Sequence, residues 1–343
     1  MPHFPAPPGS FPAFFWHPLC TRPMLTDMNT ACYLFLISLT LPPILAAQAT
    51  TNPTILQAYE LEEQDHPAEA VALIRPLLES NTFSSADLGR AWNALGLGYL
   101  DQGDFPPAQE AFERAIRILQ PIPNSRDHAI VLGNLADLYF SKRDLATALQ
   151  LRLKALRVFE QQNDHQDIAI TCNHLAGIEL QLEHRKQGRK YLDRAIQEMS
   201  TAPEFNANDR AAIYMMEAKF AEAAHDWAAA IQAMQSAVNT WQSLLGEDHS
   251  NVGWGYVLLG HMYQNAGKMT EADRAMQHGM SILARTVSPQ SSYYVQAELT
   301  YAGLLKQRGD RVAASRLRAA AETAQGSNQT ACNGCTISVD ALR

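Results

Sequence analysis

Apolar and polar positions along this chain repeat with a helical period, and the apolar faces come in pairs. In residues 89–121, Trp92, Leu95, Gly96 and Tyr99 fall at i, i+3, i+4 and i+7, one face of a helix. Asp101-Gln102-Gly103-Asp104 interrupts that face. Gly103 suits a left-handed helix end, and Asp104 suits the cap of a second helix. Pro106 and Pro107 then sit in a first turn, where no backbone N–H is needed. Ala108, Ala111, Phe112, Ala115, Ile116 and Leu119 form the face of the second helix, and Pro121 closes the unit.

The same unit recurs. One column of small residues is Ala58, Gly96, Ala136, Ala176, Ala218, Gly260 and Ala302. Twelve positions later come Ala70, Ala108, Ala148, Gly188, Ala230, Ala272 and Ala314. Seven further on come Leu77, Ala115, Ala155, Ala195, Ala237, Gly279 and Ala321. The steps are 38, 40, 40, 42, 42 and 42 residues. So regular a period predicts an all-α solenoid of antiparallel helix pairs. Small side chains belong where two helices cross closely, because larger ones would push the axes apart.

Trp92, Leu95, Gly96, Tyr99, Ala108, Phe112, Ala115 and Pro121 resemble the tetratricopeptide (TPR) repeat. Leu135, Ala136, Tyr139, Ala148 and Ala155 match in part, as do Tyr256, Leu259, Gly260, Tyr263, Gly267, Ala272 and Gly279. Three further repeats keep the small columns but carry Glu179, Ala221 and Leu305 in place of the tyrosine, and residues 53–80 look like a degenerate first copy. The 42-residue steps and the linker Leu245 to Val252 are similar to the kinesin-light-chain type of repeat. The resemblance implies a right-handed TPR superhelix over residues 50–325, with a C-terminal tail over 326–343. No capping helix is expected after Gln325. The bare end would then pack on a partner, on a second copy of the chain, or under Thr336–Leu342.

Residues 1–27 are rich in proline and aromatics and show no helical period. An apolar run from Cys32 to Leu41 is followed by Pro42-Pro43 and by the small-x-small triplet Ala47-Gln48-Ala49. This predicts a secretory signal peptide over 1–49 and export to the periplasm or outside the cell. Arg22 is the sole cation before the run and Asp27 offsets it, so a start at Met24 or Met28 would leave a signal of more ordinary length. An uncleaved anchor is the alternative, although the run is short for a span and Pro42-Pro43 would break a spanning helix.

The formal net charge is −8, which argues against nucleic acid as a partner. A local exception is Arg185, Lys186, Arg189 and Lys190, with Arg152, Lys154 and Arg157 one repeat earlier. It reads either as a patch for an acidic partner or as the solvated outer side of two helices. The five cysteines are too few and too scattered for a disulfide framework. Cys332-Asn333-Gly334-Cys335 could close a tight turn as a local disulfide; idle thiols and a redox pair are the other readings. Cys172 falls on the core side of its helix.

The resemblance also implies that the first helix of each pair lines a concave groove. Its candidate residues are Arg90, Asn93, Leu97 and Asp101, then Asn134, Asp137 and Ser141, then Asn173, His174 and Gln181. Later repeats add Lys219 and Glu222, then His261, Gln264 and Asn265. An amide side chain both donates and accepts, so Asn93, Asn134 and Asn173 suit the main chain of an extended peptide. The other reading is that they bond a neighbouring helix or water. The Lys, Arg and Asn set with which some TPR proteins hold a C-terminal carboxylate is missing. Asp127-His128, Asp164-His165 and Asp248-His249 sit in inter-repeat linkers, where helix capping is the expected role.

No catalytic motif, metal set or cofactor loop is visible. The expected function is a non-catalytic interaction scaffold in the cell envelope that binds peptide segments of a protein partner. The alternatives are a self-assembling envelope protein, joined through its C-terminal end, and an accessory or sensor subunit.

Overall fold

The computed structural model describes residues 52–331, apart from 64–65, 80–82, 123, 203–204 and 290. The expected signal segment and the Cys332/Cys335 pair lie outside the described residues. Among the described residues there are fourteen helices and no strand. They form seven successive pairs. The first three are α1 (Pro53–Glu63) with α2 (Pro67–Glu79), α3 (Ser85–Asp101) with α4 (Phe105–Leu119), and α5 (Arg126–Ser141) with α6 (Leu145–Gln162). Then come α7 (His165–Gln181) with α8 (Arg185–Thr201) and α9 (Ala207–Ala223) with α10 (Trp227–Leu245). The last are α11 (Ser250–Asn265) with α12 (Met269–Thr286) and α13 (Ser292–Gln307) with α14 (Arg311–Ala331).

Linker chemistry sets the starts of these helices. Ser84, Ser125, Asp144, Asp164, Asp226 and Ser291 each accept a backbone N–H from three residues on. Of the three Asp-His linkers, Asp164 caps as expected. At Asp248-His249 the cap is instead His249, whose ring accepts from the Asn251 N–H at 3.3 Å. At Asp127-His128 it is Ser125. The turn inside each pair from α3–α4 onward holds one left-handed residue. Gly103, Gly267 and Gly309 fill that place at φ 75°, 75° and 92°. Arg143, Glu183 and His225 fill it in the middle repeats at φ 65°, 62° and 59°, where a side chain costs about 1 kcal/mol.

Packing explains the small columns. Ala58, Ala136, Ala176, Ala218 and Ala302 are all at most 1% exposed. A Cβ on Gly96 would stand 2.6 Å from the Phe112 ring, and one on Gly260 would stand 2.5 Å from Cγ of Met276. Either would force its helix pair apart. Each second helix also packs on the next pair's first helix, so the core runs on without a break. Cys172 is buried in it, and burial pushes its thiol up to about 12.

The C-terminal end differs from expectation. Helix α14 continues through Gly326 to Ala331 instead of giving way to a loop at Gln325. A single glycine inside a helix is tolerated at a cost of ~1 kcal/mol, and no proline follows to stop the helix. The outward face of α14 carries Val312, Ser315, Ala319 and Glu322, all exposed. Val312 is the one large apolar side chain among these four, so this end is less bare than the columns suggest. No described helix is long and apolar enough to cross a membrane.

Candidate interaction groove

The first helices form the inner layer of the solenoid. Neighbours touch directly, α3 with α5, α7 with α9 and α11 with α13. As a result these helices are buried on more than one face. Helix α5 is buried continuously from Val131 to Leu138, and α7 from Asp167 to Asn173. The second helices, by contrast, bury one stripe and expose the other side.

This layering corrects the expected groove in its N-terminal half. Asn93, Leu97, Asn134, Asp137 and Asn173 are 1–4% exposed, and the His174 side chain is 10% exposed. Their helix edge faces the adjacent first helix rather than solvent. Leu97 packs with Val131, Leu135 and Leu138 of α5. Asn93 Nδ2 donates to the Tyr59 hydroxyl at 3.1 Å, and Asn134 Nδ2 donates to Asn93 Oδ1 at 2.8 Å. The Tyr59 hydroxyl in turn donates to the Arg90 carbonyl at 3.1 Å. Burial pushes the Tyr59 phenol well above its ordinary range. Asn93 and Asn134 therefore bond neighbouring helices and stitch repeat to repeat, whereas the buried Asn173 Oδ1 accepts no hydrogen bond. The ladder stops at Asn134. Asn134 stands two positions before its small-column residue, whereas Asn93 and Asn173 stand three before theirs.

In the same pair as Asn134, Arg152 turns inward from α6. It pairs with Asp137, and its Nη2 lies 3.0 Å from His174 Nδ1. Arg152 is 5% exposed, so it is not part of an outer basic patch. Gly133 makes room for it, since a Cβ there would stand 2.8 Å from Nη1. Burial pushes the Asp137 carboxyl up, but the charges of Arg152 and His174 outweigh it and hold the group below the usual carboxylate range. Burial, then Arg152, lower His174. Arg152 Nη2 can only donate, so it is His174 Nδ1 that accepts in this contact.

The remaining N-terminal candidates lie on the margins. Arg90 is half-buried and bridges Asp127 at 2.8 Å and Asp87 at 3.1 Å. Asp101 and Ser141 are half-buried, and Gln181 is exposed and accepts from Arg143 at 3.2 Å.

In the C-terminal half the same edge is open. Lys219, Glu222, His261 and Gln264 are partly exposed, and Asn265 is exposed. His261 Nε2 lies 3.3 Å from Glu222 Oε1 and 3.0 Å from Asn265 Nδ2. Gln264 Nε2 donates to Gln307 at 2.6 Å. Burial lowers the Lys219 amine to about 8, against the opposing charge of Glu222. Lys219 and His261 recur at a 42-residue step, and the next member of that series is Gly303. A Cβ on Gly303 would meet nothing within 4 Å. No motif in the sequence marks Gly303, Tyr59, Gly133 or the inward turn of Arg152. No group of three or more His, Cys, Asp or Glu side chains fit to hold a metal ion occurs among the described residues.

Residues 89–118 match the family model of the tetratricopeptide repeat. No curated protein sequence matches the chain significantly. Solved structures do. A Rap protein complexed with Competence and Sporulation Factor is 16% identical, with a TM-score of 0.59, over 80% of this chain and 86% of that one. A tetratricopeptide repeat protein from Parabacteroides merdae is 13% identical, with a TM-score of 0.50, over 79% and 91%. A signal-transduction ATPase with a tetratricopeptide repeat sensor, from Pyrococcus horikoshii, is 14% identical, with a TM-score of 0.56. That match covers 81% of this chain and 42% of the ATPase. At such identities the likeness concerns the fold. Proteins of this repeat family mediate protein–protein interaction. Residues 89–118 match one tetratricopeptide repeat, and the seven helix pairs stacked in series among the described residues have the fold of a tetratricopeptide-repeat solenoid.

Proposed function

We propose that this solenoid is a non-catalytic scaffold that holds an extended segment of a protein partner along the inner edges of α9, α11 and α13. The observation that carries the reading is the open series Lys219, His261 and Gly303, flanked by Gln264, Asn265 and Gln307. A glycine inside a helix costs about 1 kcal/mol relative to alanine. Gly303 returns nothing for that cost in internal packing, and it leaves the backbone open to close approach. The amide side chains beside it can pair with a main chain of any sequence. Adjacent first helices lie ~9 Å apart and an extended chain rises ~3.3 Å per residue, so about every third partner residue meets a new helix. The Rap structure, of similar fold, contains Competence and Sporulation Factor, which supports a binding role.

The apolar run and small-x-small triplet before Thr50 support an envelope location for this scaffold. The largely small and polar outer face of α14 favours a scaffold over end-to-end assembly.

The test is crosslinked capture with the full chain beside the variant Lys219→Ala, His261→Ala, Gln264→Ala. These side chains are partly exposed, so thermal unfolding should barely change. Partners lost only from the variant would support the groove. Identical capture by both proteins would overturn it. N-terminal sequencing of the mature protein tests the export reading, with Thr50 as the expected first residue.

A further inference from the structure

A second surface lies away from the inner face, along the turns that join the two helices of each middle repeat. Lys142 and Arg143 occupy one turn. Arg185, Lys186, Arg189 and Lys190 follow the next, on the first two turns of α8, and all six are exposed. Arg143 Nη1 reaches Gln181 at the end of α7 at 3.2 Å, which sets the two turns side by side. Arg185 Nη1 donates to the Ala223 carbonyl at 2.8 Å, which holds its guanidinium on the same edge. The nearby exposed carboxylates are Asp144, Glu183, Asp193 and, in the turn that Arg185 reaches, Asp226, whose Oδ1 accepts from the Ala229 N–H at 3.1 Å. Asp193 is taken up by Arg189 at 2.7 Å. Glu179 is buried and turned to His184 at 2.9 Å. No acid occupies the first turn of α8, and Lys186 and Lys190 make no ion pair among the described residues. A chain of net charge −8 thus concentrates unneutralised positive charge on one edge.

We propose that this edge docks an acidic, extended segment of a protein partner. The small extent of the patch selects that occupant. Charges are screened over ~8 Å at physiological salt, so a short peptide senses the local cations. A nucleic acid or an anionic membrane spans far more surface and meets the acidic remainder of the chain. The two turns are one repeat apart, ~9 Å at ordinary helix spacing. In an extended peptide, carboxylates three residues apart stand ~10 Å from each other. Acidic residues at every third position therefore match the two turns. This surface is separate from the inner edge, so either proposal can fail without the other.

The experiment is fluorescence anisotropy of a labelled peptide of repeated Glu-Ser-Gly units against the full chain, with the Gln-Ser-Gly peptide as control. The unmodified protein should bind the Glu peptide, lose that affinity steeply between ~50 and ~200 mM salt, and ignore the Gln peptide. Lys186→Ser, Arg189→Ser, Lys190→Ser should weaken binding about tenfold, with an unchanged melting temperature. Lys186→Arg, Lys190→Arg should keep it, and so should the inner-edge variant Lys219→Ala, His261→Ala. Equal binding of the Glu and Gln peptides overturns the proposal, as does a triple variant that binds like the unmodified protein. Tighter binding to phosphatidylserine vesicles or duplex DNA than to the Glu peptide overturns the assignment of a peptide.

Discussion

The inner edge of this solenoid is closed in its N-terminal half and open in its C-terminal half. Both halves are built from the same helix pairs with the same small columns. In α3, α5 and α7 the edge positions carry Asn93, Asn134, Asp137 and His174, which are consumed by Tyr59, by each other and by Arg152. In α9, α11 and α13 the edge carries Lys219, His261 and Gly303, which stay within reach of solvent. Polar side chains in one family of positions are thus buried between helices in one half and partly exposed in the other. What decides between them is the partner on the neighbouring helix.

The contrast can be broken most directly at Asp137. Asp137→Ala leaves the Arg152 guanidinium buried without its carboxylate, and unfolding by urea should show a loss of about 3–5 kcal/mol. Lys219→Ala in the open half should cost less than ~1 kcal/mol. Equal losses would mean that the two halves do not differ in kind. Asn93→Ala comes next. It strips a partner from both Tyr59 and Asn134, for about 1–3 kcal/mol, whereas His261→Ala removes only an exposed pair worth at most ~0.5 kcal/mol.

Acid sharpens the comparison at the linker into α11. Burial lowers His249 to about 4, from ~6.5 in an unfolded chain. Its contribution is therefore full above pH ~6.5 and is lost as pH falls toward 4, because the unfolded state takes up the proton first. His249→Asn keeps a capping side chain without a titrating group. Its stability should hold between pH 7 and 5, where the unmodified chain loses about 1–2 kcal/mol more. The buried Asp167 carboxyl works the other way. Burial raises it to about 6 in spite of Arg126, so it favours the fold as pH falls through 6, and it does so equally in both proteins. Glycines give a further contrast of opposite sign. Gly303→Ala should stabilise by up to ~1 kcal/mol, while Gly133→Ala in the closed half should destabilise by crowding Arg152. A Gly303→Ala protein that is more stable yet binds its partner less well would tie the open edge to function.

The fold was legible because its determinants are local or strictly periodic. Gly103, Pro106 and the column from Ala58 to Ala302 each act through the helix they sit on or the one they cross. The candidate groove was only half legible. Asn93 reads as a surface residue because its partner, Tyr59, is 34 residues away in a degenerate repeat. Arg152 reads as an outer cation because the space it enters is opened by an absent side chain, at Gly133. A signal did exist there, since Gly133 stands at the position that Asn93 and Asn173 hold in their own repeats. The one-residue offset of Asn134 against the small column was a second signal that the amides are not in register. At Gly303 the relevant fact is empty space, which no pattern of residue types records.

The glycines at the helix crossings also govern the groove from behind. A Cβ on Gly260 would require α11 and α12 to separate by ~1 Å, and across an axis spacing of ~9 Å that opens an angle of ~6°. The next pair, α13 and α14, packs on α11 and α12 through α13 and would tilt with them. Over the ~30 Å length of a helix of about twenty residues, the tilt becomes a swing of ~3 Å. A methyl group placed on the far side of the stack would thus change the pitch of the inner edge by about the rise of one residue of an extended strand. The pitch of the open half is set by atoms that face away from it.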